Sequence, residues 1–113
     1  MTLDELQQEA YSNAVQKGFA DKEVPIPEMI ALIHSEASEA LESYRNGEPI
    51  SWRADVYEDN PEGKPLGLAS EFADILIRIG HYATLLKIDL DYEVRRKLDY
   101  NKGRAYRHGG KLI

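Results

Sequence analysis

Between Gly67 and Ile88 the chain reads GLASEFADILIRIGHYATLLKI, and no other stretch restricts the fold so strongly. Phe72, Ala73, Ile75, Leu76, Ile77, Ile79, Tyr82, Ala83, Leu85 and Leu86 cannot share one face of a helix that turns about 100° per residue. A helix here must be covered from several sides. Its ionisable side chains, Glu71, Asp74, Arg78 and His81, follow at intervals of 3, 4 and 3 and form one narrow stripe. Charges on a buried helix are costly unless something pairs with them, so two carboxylates one turn apart raise the question of which cation they face.

A chain of 113 residues is expected to be a single domain spanning 1–113, short for covering so apolar a helix alone. A homo-oligomer is therefore expected. The balance of 20 acidic against 14 basic residues, net −6, argues against a nucleic-acid partner. There is no cysteine, which excludes disulfides, thiolate metal sites and a thiol nucleophile. The opening MTLDELQQEAY is acidic and polar where a signal peptide is basic and then apolar, so a cytoplasmic protein is expected. The apolar stretch has the length of a membrane span, but its ionisable stripe argues against a membrane partner.

Thr2 with Glu5 forms a capping box for a first helix with apolar positions Leu3, Leu6, Ala10, Ala14 and Val15, closed by Gly18. Pro27 suits the start of a second helix running to about Asn46, whose expected buried face is Met29, Ile30, Ile33, Ala37, Ala40, Leu41 and Tyr44, with Glu36 on its flank. Glu48 to Pro65 is polar, holds three prolines and lacks a sustained period; it reads as a loop with one short helical turn near Trp52 to Tyr57. After the apolar helix, Asp89 or Asp91 caps a fourth helix reaching about Arg104 to Tyr106, followed by a basic tail. The fold class is all-α, a four-helix protomer assembling into an oligomeric helical bundle.

Two constellations carry chemistry. Glu36-x-x-Glu39 on helix two and Glu71-x-x-Asp74 on helix three each place two acids one turn apart, and antiparallel packing brings four carboxylates around one point. At an effective dielectric of about 20, two carboxylates about 5 Å apart repel by roughly 3 kcal/mol, which a hard dication relieves; oxygen-only ligands favour Mg²⁺ or Mn²⁺ over zinc. The plainer alternative is local pairing, for instance Asp74 with Arg78 at i, i+4. The second constellation is Lys97, Asn101, Arg104 and His108 on helix four, one stripe able to grip a polyphosphate or else an exposed basic face near a helix C-terminus. A carboxylate-held cation beside a basic strip suits hydrolysis of a phosphoanhydride, with a spare carboxylate taking the proton. No Walker loop, Rossmann glycine pattern or G-x-S-x-G is present.

Three ordered segments, HSEASEALE, GKPLGLASEFADILIRI and KLDYNKGRAYRHGGK, resemble the MazG-like branch of the all-α nucleoside triphosphate pyrophosphohydrolases over a region from about Ile33 onward. The resemblance implies Mg²⁺, with Mn²⁺ as substitute, held by Glu36, Glu39, Glu71 and Asp74, and Glu36 or Glu39 as the catalytic proton acceptor. It implies Lys97, Asn101 and Arg104 as phosphate ligands. The substrate would be a nucleoside or deoxynucleoside triphosphate, cleaved to monophosphate and pyrophosphate by water attack on the α-phosphorus. Two departures stand out: Ser35 where many members carry another Glu, and a long gap between Glu39 and Glu71. Trp52 is placed either to stack on a base or to pack over the core, and Arg107 and Lys111 in the tail to order over a triphosphate. His81 is either a satisfied core histidine or a contact to substrate. Competing readings are phosphoribosyl-ATP cleavage and a non-catalytic nucleotide-binding helical module.

Overall fold

A computed structural model describes residues 1–19 and 23–104 of the chain; the expected roles of Arg107, His108 and Lys111 lie outside the described residues. The architecture is mostly helical: α1 (Leu3–Gln16), α2 (Ile26–Arg45), a hairpin of β1 (Trp52–Ala54) and β2 (Lys64–Leu66), α3 (Leu68–Leu85) and α4 (Leu90–Lys102). The helix ends follow the side chains that satisfy their unpaired backbone groups. The Thr2 hydroxyl accepts from the Glu5 N–H at 3.1 Å while the Glu5 carboxylate accepts from the Thr2 N–H at 3.0 Å. Asp89, not Asp91, caps α4, accepting from the Tyr92 N–H at 3.1 Å. No described helix is long and apolar enough to cross a membrane.

Helix α3 is the centre of the packing, with α1 and α2 both laid against it. The Ile50 carbonyl accepts from the Ala69 N–H at the start of α3, and Glu36 meets Arg78 farther along, so α2 runs antiparallel to α3. On the other side Gly80 has no Cβ, which lets α1 approach: a Cβ there would lie 3.4 Å from both Ala10 Cβ and Leu6 Cγ. Gln7 then fastens the α3–α4 junction, donating to the Ile88 carbonyl at 2.8 Å and accepting from the Leu90 N–H at 3.0 Å.

Two expectations are corrected. The fold is not wholly helical: the segment read as a loop with a helical turn is an antiparallel hairpin, with Trp52 opposite Leu66, Arg53 opposite Pro65 and Ala54 opposite Lys64. Strands of three residues, one holding a proline, carry no readable alternation, and Pro65 is tolerated because a two-stranded ribbon has only edges. The buried face of α2 is also different. Met29, Glu36, Ala40 and Ser43 are buried, whereas Ile30, Leu41 and Tyr44 are exposed and Ala37 faces outward. Glu36, expected at the flank, sits in the middle of the face that meets α3.

The covering expected for α3 is correspondingly incomplete within one chain. Phe72 and Leu76 remain 56% and 53% exposed, and no large side chain among the described residues is fully enclosed.

The hairpin returns to α3 through Gly67, whose φ of 97° and ψ of 178° belong almost only to glycine. A Cβ at this position would fall 2.5 Å from the Ile50 carbonyl oxygen. Gly67→Ala is expected to lower stability by roughly 1–3 kcal/mol, read as an earlier midpoint in urea with an unchanged slope.

Candidate metal centre

The contact between α2 and α3 gathers acids. Glu36 from α2, with Glu71 and Asp74 from α3, each present a carboxylate oxygen within 4.8 Å of the others. The spacing on α3 explains the pair, since residues three apart lie one above the other on a helix. The small buried side chains on this face of α2, Ala40 and Ser43, give the approaching helix room. Glu39, one turn beyond Glu36, is exposed and stands outside this triad, yet its carboxylate is near enough to raise the proton affinity of Glu71.

Arg78 is the cation the triad faces. Its Nε donates to Glu36 Oε1 at 2.7 Å and its Nη1 donates to the Tyr82 hydroxyl at 3.1 Å. The local pairing of Arg78 with Asp74 considered from the sequence gives way to this bond across helices, because the side chain of Asp74 is already directed among the acids.

The single guanidinium divides the carboxyls. Burial would raise Glu36, but the hydrogen bond and charge of Arg78, followed by hydrogen bonding with Glu71 and Glu39, outweigh it and hold the group below its ordinary value. Glu71 has no such partner: burial first, then Glu36, Glu39 and Asp74, push its carboxyl up to about 7. Its Oε2 is buried with no hydrogen-bond partner. Asp74 is raised as well, by burial and then by the charge of Glu36, against the opposing charge of Arg78. Pairs of carboxylates at this separation repel by about 3 kcal/mol each at an effective dielectric of about 20.

Such a set suits a hard dication. Every donor is a carboxylate oxygen, one oxygen is buried and unpartnered, and the spread of donors matches the roughly 4–5 Å between oxygens on opposite sides of Mg²⁺, Mn²⁺ or Ca²⁺. With Arg78 offsetting one acid, a doubly charged ion neutralises the other two.

Beside the triad a cleft of about 660 Å³ opens between α1, α2 and α3. Glu36, Asp74 and Arg78 belong to its wall, together with Asn13, His81 and Tyr82. His81 is not the satisfied core histidine considered above: its Nε2 is buried without a partner, and burial followed by the charge of Arg78 lowers its proton affinity, favouring the neutral ring. From the sequence, Asn13 carried no signal at all, and Arg78 and Tyr82 were visible only as members of the α3 pattern.

The other sequence candidates stand apart from the acids. Lys97 and Asn101 are exposed on α4, a helix without buried residues that packs against α1, and Arg104 is exposed just past its end, since the helix stops at Lys102 and not at Arg104 to Tyr106 as expected. Lys97 and Arg104 flank the Tyr100 ring, 5.4 Å and 5.8 Å from its centroid. Trp52 opens β1 half-buried, with its Nε1 enclosed and unpartnered, which leaves only part of the ring for stacking.

No known protein family, curated protein or solved structure matches the chain.

The shifts fix a pH dependence. Between an ordinary 4.5 and about 7 the folded chain holds a proton on Glu71 that the unfolded chain has released, so this contribution is complete below 4.5 and is lost as pH rises through 7. Asp74 acts in the same sense; Glu36 acts oppositely, but only as pH falls below 4.5. In chelator-treated protein, unfolding free energy is expected to drop by about 1 kcal/mol from about pH 6 to about pH 8. Millimolar Mg²⁺ or Mn²⁺ should restore it more fully at the higher pH, because binding displaces the proton. Thermal melts at matched ionic strength check this, with Glu71→Gln expected to flatten the profile.

Proposed function

We propose that the chain is a Mg²⁺-dependent nucleoside triphosphate pyrophosphohydrolase of the MazG-like kind, with Mn²⁺ as a substitute ion. The observation that carries the reading is the meeting of Glu36, Glu71 and Asp74 around one point, with a buried oxygen of Glu71 left unpartnered. The two sequence motifs that resemble the family's metal ligands come from different helices, and three of their four acids converge.

Glu36, Glu71 and Asp74 hold the ion in this reading, with Glu39 at the edge of the set. A bound dication neutralises phosphate charge and lowers the pKa of a coordinated water. Of the two candidate acceptors on α2, Glu36 and Glu39, Glu39 is the better placed. Glu36 has one oxygen committed to Arg78 and is held ionised by it, whereas Glu39 is exposed and makes no such bond among the described residues. The water oxygen adds to the α-phosphorus, its proton passes to Glu39, and the bond from that phosphorus to the bridging oxygen of the pyrophosphate breaks. Lys97 and Asn101 on exposed α4, with Arg104 just past its end, supply donors for the departing pyrophosphate.

The open apolar faces support a homo-oligomer, a dimer or tetramer, as the working form. Ile30, Leu41 and Tyr44 on α2 and Phe72 and Leu76 on α3 are more than half exposed in the single chain. Apolar surface of this extent on a small chain marks an interface.

Product analysis over canonical and modified triphosphates, with phosphoribosyl-ATP included, tests the assignment. Monophosphate and pyrophosphate are the expected products; release of single phosphates, or binding without products under both Mg²⁺ and Mn²⁺, would overturn it. Glu39→Gln is expected to slow turnover about 10²–10⁴-fold with little change in metal affinity. Asp74→Asn should abolish turnover by weakening metal binding while the helical content stays intact, as circular dichroism would register.

A further inference from the structure

Arg78 has more donors than its two contacts use. A guanidinium carries five N–H groups. Glu36 Oε1 engages the one on Nε and the Tyr82 hydroxyl engages one on Nη1. Three N–H groups therefore have no protein acceptor among the described residues. The side chain is 36% exposed, so those donors are not sealed into the helix contact.

Position gives the remaining donors a direction. Arg78 stands where the carboxylate triad meets the cleft, and among the described residues it is the one permanently charged cation in the cleft wall, which also holds the acids Glu28, Glu36 and Asp74. A polyphosphate approaching these acids meets repulsion, and the basic strip of α4 stands on a different element. After a dication balances Glu71 and Asp74, and Glu36 balances Arg78 in formal charge, the donors of Arg78 are still open to an oxyanion. Anchoring at two points fixes the plane of the guanidinium, so little rotamer freedom remains to be lost when an anion arrives.

We infer that Arg78 is a substrate-binding residue whose open donors receive a phosphoryl oxyanion of the nucleotide where the acidic triad opens into the cleft. Tyr82 is its positioning residue. This rests on the triphosphate-cleaving reading, and it moves part of the phosphate grip from α4 to the wall that also holds the metal ligands. Glu36 thus serves both sides, with one oxygen orienting the guanidinium and the carboxylate contributing to the cation site.

Binding measurements separate this role from that of a counter-charge. Titration calorimetry is run first with Mn²⁺ alone, then with inorganic pyrophosphate and a non-hydrolysable triphosphate analogue in saturating Mn²⁺. Arg78→Gln is expected to weaken both anions about ten- to a hundredfold while Mn²⁺ affinity stays within about threefold of the parent or increases. Arg78→Lys keeps the charge but loses the fork and should weaken anions about tenfold. Tyr82→Phe should weaken them severalfold without touching the metal ligands. If Arg78→Gln does not fold, the other two variants decide.

Unchanged anion affinity in folded Arg78→Gln or Arg78→Lys would overturn the inference, as would a loss of Mn²⁺ affinity as large as the loss of anion affinity. If the parent chain binds Mn²⁺ but neither anion and releases no pyrophosphate, the functional reading itself fails. A parent that turns over and variants that bind anions normally would leave that reading standing and remove only the role of Arg78.

Discussion

The 2.7 Å bond from Arg78 to Glu36 joins α2 to α3 and sets the charge state of everything near it. Burying a carboxylate in the middle of a helix contact costs several kcal/mol unless a cation accompanies it. Here the cation comes from the facing helix, so Glu36 stays ionised where burial alone would favour protonation. One guanidinium cannot serve three acids. Burial raises the proton affinity of Glu71 and Asp74, and the same bond that stabilises Glu36 adds to that by leaving both facing a fixed negative neighbour. The acids thus titrate as a group, one driven down by the guanidinium and two driven up by burial and by their charged neighbours.

Much of this was legible in the sequence because it rests on local spacing. Helix termini follow short-range rules, and Thr2, Gly18 and Asp89 act at the positions those rules give. The two acidic pairs were visible for the same reason, since an interval of three on a helix fixes a shared face. Contacts that depend on how two helices rotate about their axes were not legible. Arg78 has Asp74 one turn before it and Glu36 across the contact, and nothing local says which it takes. The hairpin was hidden for another reason: three residues per strand cannot establish a period, and Pro65 argues against a strand unless both strands are edges.

The face of α2 shows where periodicity stops informing. Ile30, Ala37, Leu41 and Tyr44 are the more apolar stripe, and the chain buries the neighbouring one instead, with Glu36 and Ser43 inside it. An apolar stripe records that a surface is to be kept from water, not which element does so. The intramolecular contact with α3 goes to Met29, Ala40 and the charged pair, a mixture of one large residue, one small one and a specific polar bond. The apolar stripe is left facing outward, and Phe72 and Leu76 of α3 are more than half exposed as well.

Placement of the acids on α3 also makes mechanical sense. A site whose ligands must hold their separation within a fraction of an ångström is better built on packed helices than on a connecting segment. Helix α3 is held from behind by α1, through the close approach at Gly80 and the two bonds of Gln7 to the α3–α4 junction. Those contacts lie in the C-terminal half of the helix and just past its end, roughly two turns or more from the acids, so they fix its axis at the end away from Glu71 and Asp74. Helix α2 is then registered against that fixed wall by Glu36. A repulsive cluster tends to push its two helices apart, and the Arg78 bond opposes that push at the position where it is generated.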